Sequence, residues 1–274
     1  MQEDRKFTEK GQGKGMKVVI LAGGRGTRIS EESRMRPKPM VEIGGKPILW
    51  HIMKLYSHYG FREFIICCGY KGQMIKEYFI HYHMYQTDST FLLDTQEKLL
   101  HRSKAEPWKV TLANTGLDTL TAGRLLRVRD YIGGEPFLLT YGDGVSDVDI
   151  LKLIEFHKER KTIATITTVQ PSGRFGALQM DPGTNQVLRF KEKARSDQGW
   201  VNAGFMVMEP EVFRYLGDGS EMLETGPFER LALEGQMNAY KHDGFWMPMD
   251  NIRDKEYLES LWTGGNAPWK IWRQ

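Results

Sequence analysis

The stretch that most constrains the chain is Met16-Lys-Val-Val-Ile-Leu-Ala-Gly-Gly-Arg-Gly-Thr-Arg-Ile29. Val18 to Leu21 is a short apolar run rich in β-branched residues, the composition of a buried parallel strand. It empties directly into Ala22-Gly-Gly-Arg-Gly-Thr-Arg28. Glycines let a backbone approach a ligand closely and adopt positive φ. Successive backbone N–H groups in such a turn make an anion-binding concavity, and Arg25 and Arg28 add positive charge. The stretch predicts a phosphate loop at the C-terminal end of a first strand. A plain glycine-rich connection between strand and helix has the same composition. Two common phosphate loops are excluded. The dinucleotide fingerprint needs a glycine where Ile29 stands, and no Gly-Lys-Ser/Thr follows.

Strand and helix signals then alternate. Lys46 to Tyr59 reads as an amphipathic helix with Ile48, Leu49, Ile52, Met53 and Tyr56 on one face, Pro47 in its first turn and Gly60 at its stop. Phe64 to Cys68 reads as a second buried strand and Gln73 to Ile80 as a short helix. From His81 to Leu120 the pattern weakens. Phe91 to Leu93 and Val110 to Leu112 are expected as strands around a polar stretch, Asp94 to Lys109, that holds Trp108. This excursion is expected to cover the site, meet a second subunit, or lie on the surface as a long loop. Asp118 to Asp130 reads as helical, Phe137 to Val145 as a third strand ending in Gly-Asp-Gly, and Asp149 to Glu159 as a helix capped by Asp149. Ile163 to Val169, Phe190 to Lys193, Val201 to Met208 and Phe228 to Glu234 continue the alternation, and Arg253 to Trp262 closes it as a helix. This order predicts an α/β fold, a parallel sheet with crossover helices.

Several residues stand where such a fold does chemistry. Asp143 follows an apolar strand between two glycines, outside the carboxyl end of a strand. A carboxylate there suits Mg²⁺, which takes a few carboxylates plus substrate phosphates; a simple Gly-Asp-Gly turn reads the same way. Asp250 ends the apolar segment Gly244 to Asp250 as a second metal ligand or as a helix cap. Lys38 is stiffened between Pro37 and Pro39, which suits a fixed charge at a phosphate. The Thr119 to Arg124 segment is expected as a helix's first turn, offering N–H groups to an anion or carrying a plain cap and an exposed arginine.

The pair of segments Leu21-Ala-Gly-Gly-Arg-Gly-Thr-Arg28 and Lys38-Pro-Met-Val-Glu-Ile-Gly-Gly-Lys-Pro47 resembles the signature of the sugar-1-phosphate nucleotidyltransferases, and the resemblance runs through nearly the whole chain after Met16. It implies a Rossmann-like mixed, mostly parallel sheet flanked by helices, the nucleotide-diphospho-sugar transferase fold, as a single domain over 16–274; residues 1–15, polar and glycine-bearing, read from their composition as a flexible leader. It implies that Leu21, Ala22, Gly23, Gly24, Arg25, Gly26, Thr27, Thr119 and Arg124 hold the nucleotide, with Arg28 and Lys38 stabilising charge. Asp143 and Asp250 would share one Mg²⁺. Glu192, Lys193 and Asn202 would hold the sugar phosphate, although Ala194 replaces the proline that usually follows that lysine. The strings Phe64-Ile-Ile-Cys-Cys-Gly-Tyr-Lys-Gly72, Tyr141-Gly-Asp-Gly144, Gly173-Arg-Phe-Gly-Ala177 and Ala267-Pro-Trp-Lys270 draw the resemblance toward the branch that joins CTP and glucose 1-phosphate. Thymidylyl or uridylyl transfer, and a homologue without catalysis, are the alternatives, the last disfavoured because Arg28, Lys38 and both aspartates are present. The chemistry needs no general base. A phosphate monoester has a second pKa near ~6 and is mostly dianionic at neutral pH. Positioning and charge stabilisation then carry the reaction.

Composition narrows the partners. A net charge of +3 over 274 residues, with the charges interspersed, argues against a nucleic-acid surface. No apolar run is long enough for a membrane span, and the first residues lack the apolar centre of a secretory signal. Cys67 and Cys68 are adjacent in a strand and point to opposite faces, so they read as small buried residues in a reducing compartment, the cytoplasm. His81 and His83 read as surface or packing residues rather than metal ligands. No Ser/His/Asp or Cys/His nucleophile arrangement is visible. A redox enzyme would want an acidic residue where Cys68-Gly-Tyr70 stands. The resemblance also implies a homo-oligomer.

Overall fold

The computed structural model describes residues 15–26, 30–171, 177–180, 187–191 and 199–272. The expected leader, apart from Gly15, lies outside these residues, as do Thr27, Arg28, Glu192 and Lys193.

A seven-stranded sheet runs through the molecule in the spatial order 237–241, 164–169, 201–208, 137–141, 18–22, 63–68, 109–114. The Val18–Ala22 strand pairs in parallel with Glu63–Cys68 on one side and Phe137–Tyr141 on the other. Val201–Met208 is the inverted strand, antiparallel to both of its neighbours. The sheet is thus mixed and mostly parallel, with helices on both faces. Strand periodicity explains the layering. Val18, Ile20, Phe64, Ile66 and Leu138 enter one buried cluster, with the Ile48–His58 and Ile150–Arg160 helices, while Val19, Leu21, Ile65, Cys67 and Leu139 enter the other. Both cysteines are buried, and burial pushes their thiols up to about 12 and about 11.

The strand order changes sides at Val18–Ala22: Glu63–Cys68 and Lys109–Asn114 are added on one side of it and Phe137–Tyr141 on the other. A crevice outside the carboxyl ends of strands at such a point is where open α/β sheets bind ligands. The glycine loop leaves the sheet there.

Two expectations are corrected. The helix expected at Gln73 to Ile80 runs over Gly72–Tyr85. The polar stretch after Leu93 holds a strand, Glu97–Ser103, that pairs with Thr87–Leu92 in an antiparallel hairpin. Glu97–Ser103 is exposed throughout, so it has no apolar/polar alternation to announce it. Trp108 belongs to the body of the protein: it stacks on Tyr82 at 5.7 Å and donates its Nε1–H to Ser57 Oγ at 3.1 Å.

Candidate active site

The glycine loop, the Lys38 turn and two strand ends enclose a cavity of about 400 Å³. Its walls take Leu21, Ala22, Gly23, Gly24 and Gly26 from the loop region, together with Lys38, Asp143 and Asp250, and with Thr119, Arg124, Met222 and Glu224. None of residues 81–117 lines it.

Local sequence explains the charged end. Pro37 is extended (φ −66°, ψ 147°) and Lys38–Met40 makes one 3-10 turn, so the chain aims Lys38 inward. Asp143 leaves the Phe137–Tyr141 strand through Gly142, whose N–H donates to Leu21 O at 3.1 Å. Asp250 arrives from far along the chain. Gly144–Ser146 and Trp246–Pro248 pair as a short antiparallel ribbon, and Met249 N–H donates to Asp143 O at 2.8 Å, which sets the two aspartates side by side. Lys38 Nζ donates to Asp143 Oδ2 at 2.7 Å and to Asp250 Oδ1 at 2.8 Å. Burial, the largest influence on the amine, opposes its charge. Asp143 and Asp250 together outweigh that, and the Lys38 ammonium is held above its ordinary pKa. Asp250 is not the helix cap. Asn251 caps the Ile252–Thr263 helix through a reciprocal capping box with Asp254.

Arg124 is buried at 4% exposure, not the exposed arginine that a plain helix start would carry. Its Nη1 donates to Thr115 Oγ1 and Gly116 O at 2.8 Å, and Nη2 to Gly23 O at 3.0 Å. The guanidinium packs directly against the loop: a Cβ on Gly23 would sit 2.1 Å from Nη1, and one on Gly69 2.4 Å. Glycine is required at both positions by this close approach. Its helix begins at Thr121, so Thr119 lies outside it on the cavity wall. Arg25 is exposed and pairs with Asp118 at 2.6 Å. Asn202 Oδ1 accepts the Gly204 N–H at 2.8 Å and does not line the cavity.

Leu120 and Thr121, within the expected Thr119 to Arg124 turn, line the wall too, and Pro39, Tyr141, Gly142, Met222 and Glu224 join it without having been singled out in the sequence. Tyr141 donates its hydroxyl to Glu224, and burial together with that carboxylate pushes the phenol up, so it stays a neutral donor. No spacing pattern marks Glu224; only the fold brings 219–224 against the start of the Thr121–Arg127 helix and against Tyr141. Among the described residues no group of three or more His, Cys, Asp and Glu side chains could hold a metal ion. Two carboxylate oxygens brought to one cation beside the glycine loop do fit a magnesium ion, which completes its shell with water and phosphate oxygens.

The nucleotidyl transferase family signature matches residues 17–259. The chain belongs to that family. The glucose-1-phosphate cytidylyltransferase of Salmonella typhi is 52% identical over 258 residues, spanning 94% of this chain and all of that protein. A Bacillus subtilis protein described as a probable glucose-1-phosphate cytidylyltransferase is 45% identical over the same shares. The crystal structure of apo UDP-glucose pyrophosphorylase superposes with a TM-score of 0.65 at 15% identity, over 91% of this chain and 98% of that one, which shows the nucleotide-diphospho-sugar transferase fold. Among the described residues no helix is long and apolar enough to cross a membrane.

Proposed function

We propose that the chain transfers the cytidylyl group of CTP to α-D-glucose 1-phosphate, giving CDP-glucose and pyrophosphate. Identity of 52% over 94% of the chain to a cytidylyltransferase matched along its full length carries this reading. The cavity supports it: a glycine loop, a lysine and two aspartates line one space of about 400 Å³.

The phosphate of glucose 1-phosphate attacks the α-phosphorus of CTP, and pyrophosphate leaves. Gly23, Gly24 and Gly26 turn backbone toward the triphosphate. Lys38, fixed in place and charged, faces the charge that builds at the α-phosphorus, where a positioned cation acts most strongly. Asp143 and Asp250 would hold a magnesium ion, which when bound supplies charge neutralisation at the phosphates. Arg124 keeps the loop in its phosphate-binding shape. The roles that the sequence assigns to Thr27, Arg28, Glu192, Lys193 and Asn202 belong to the same proposal. So does a cytoplasmic location, which suits two buried free thiols.

A homo-oligomer belongs to it as well. The hairpin of Thr87–Leu92 and Glu97–Ser103 exposes Phe91, Leu93, Leu99 and Leu100, an apolar surface that a second copy would cover. Light scattering of wild type and Leu93→Asp tests it: dissociation is expected, and a monomeric wild type removes the reading.

The activity is tested by pyrophosphate release with glucose 1-phosphate, Mg²⁺ and each of CTP, dTTP, UTP, ATP and GTP. Preference for CTP is expected. Preference for dTTP or UTP moves only the base pocket; no release with any of them overturns the reading.

A further inference from the structure

The ribbon that aligns Asp143 and Asp250 is only three residues long on each side, Gly144–Ser146 against Trp246–Pro248. A two-stranded ribbon of that size is barely stable alone, and a slip of one residue would turn Asp250 to the other face. Its register needs a clamp, and one sits at the end away from the cavity. Asp147 Oδ1 accepts the Phe245 N–H at 2.7 Å and lies 2.9 Å from His242 Nε2. Asp147 N–H donates to Phe245 O at 3.2 Å, and Ser146 Oγ–H donates to the same oxygen at 2.7 Å. His242 Nε2 faces Asp147 Oδ1, Phe245 O and Ser146 Oγ, whose own proton is committed to Phe245, so Nε2 carries the ring proton. His242 N–H donates to Thr168 O at 2.9 Å, which ties the clamp to the main sheet. A Cβ on Gly244 would meet Asp147 Oδ1 at 2.4 Å, so the turn closes this tightly only with glycine there. The Ser146–His242–Asp147 grouping resembles a hydrolytic triad in composition, but Ser146 is fully buried with its proton engaged, and no nucleophile is presented.

We propose that Asp147 and His242 are positioning residues for the nucleotidyl transfer: they lock the ribbon's register and so fix how far apart the Asp143 and Asp250 carboxylates stand. Neither Asp147 nor His242 lines the cavity. The inference rests on the reading of Asp143 and Asp250 as the metal carboxylates, and its test separates the two.

Mn²⁺ with CTP, in the absence of sugar phosphate, serves as a paramagnetic probe read by water-proton relaxation, without turnover. Asp143→Asn and Asp250→Asn are expected to abolish the enhanced relaxation. Asp147→Ala is expected to weaken Mn²⁺–CTP binding by ~10-fold, as outer partners of metal ligands do, and to raise the Mg²⁺ concentration for half-maximal rate by a similar factor while KM for glucose 1-phosphate stays put. His242→Ala is expected to follow Asp147→Ala, and His242→Gln, which restores an N–H toward Asp147, to recover most of the loss. Where Asp147→Ala does not fold, Asp147→Asn decides, with a smaller loss in the same direction. Wild-type Mn²⁺ binding in a folded Asp147 variant, with the Asp143 and Asp250 variants impaired, overturns the positioning role alone. Wild-type binding in the Asp143 and Asp250 variants overturns the metal reading and the positioning role with it.

Discussion

Lys38 and His51 are both bases held almost wholly out of water, at 7% and 0% exposure, and their surroundings drive them in opposite directions. Burial opposes the charge of each. Lys38 meets two carboxylates and is held above its ordinary pKa. His51 meets the Ile43 carbonyl at 2.8 Å, the Trp269 indole at 3.3 Å and the rings of Trp50, Trp262 and Trp272, and burial pushes it down to about 4. The same desolvation yields a permanent cation in one place and a neutral hydrogen-bonding ring in the other. What separates a buried charge from a buried neutral base here is the carboxylates supplied beside it.

The largest expected effect breaks the charged side of that contrast. Asp143→Asn should bring turnover below detection while the far-ultraviolet circular dichroism stays native; normal turnover at saturating Mg²⁺ would remove Asp143 from the metal site. Lys38→Met leaves two carboxylates facing each other without the ammonium, and kcat/KM should fall by about 10²–10³, the usual cost of one lost charge-stabilising donor. Steady-state pyrophosphate release measures it, and a loss below tenfold would make Lys38 a structural counter-ion only.

The neutral side is broken by His51→Leu. Ile43 O and the Trp269 N–H each lose a partner in a buried place, and stability should drop by about 2–4 kcal/mol in urea unfolding, with activity per folded molecule retained. The pH dependence sharpens the same point. Because His51 titrates near 4 when folded and near 6.5 in an unfolded chain, the unfolded state binds the extra proton between those values. The stability it contributes is complete above pH 6.5 and is lost as pH falls toward 4, a change on the order of 3 kcal/mol. His157, pushed down by burial although Glu209 opposes it, acts in the same direction. Urea midpoints at pH 7 and pH 5 should therefore converge in His51→Gln relative to wild type. The smallest effect belongs to Arg25→Gln. Its pair with Asp118 is exposed and screened, and the thermal midpoint should not move.

Much of the charged side was legible in the sequence. The apolar run before the loop, the prolines around Lys38 and the Gly-Asp-Gly after a strand each signal locally. The structure adds that Lys38, Asp143 and Asp250 meet, which depends on the ribbon register and has no local signature. Glu224 and Met222 stayed hidden for the same reason: a loop becomes a wall only when the sheet brings it there. The Glu97–Ser103 strand escaped because both its faces are wet, so hydrophobic periodicity had nothing to report. Asp250 could have been told from a helix cap by Asn251 and Asp254, a capping box one residue later. The neutral side was less visible, since a histidine among tryptophans separated by most of the chain's length reads as ordinary composition.

Lys38 bonds to one aspartate 105 residues later and another 212 residues later. At the usual pace of translation, Asp250 is added about 10–40 s after Lys38. Throughout that interval a ribosome-bound chain carries the glycine loop and the lysine without the complete charged centre. No fragment ending before Asp250 holds all three groups, so a nascent chain shorter than that cannot assemble the charged centre, however well its first strands have folded.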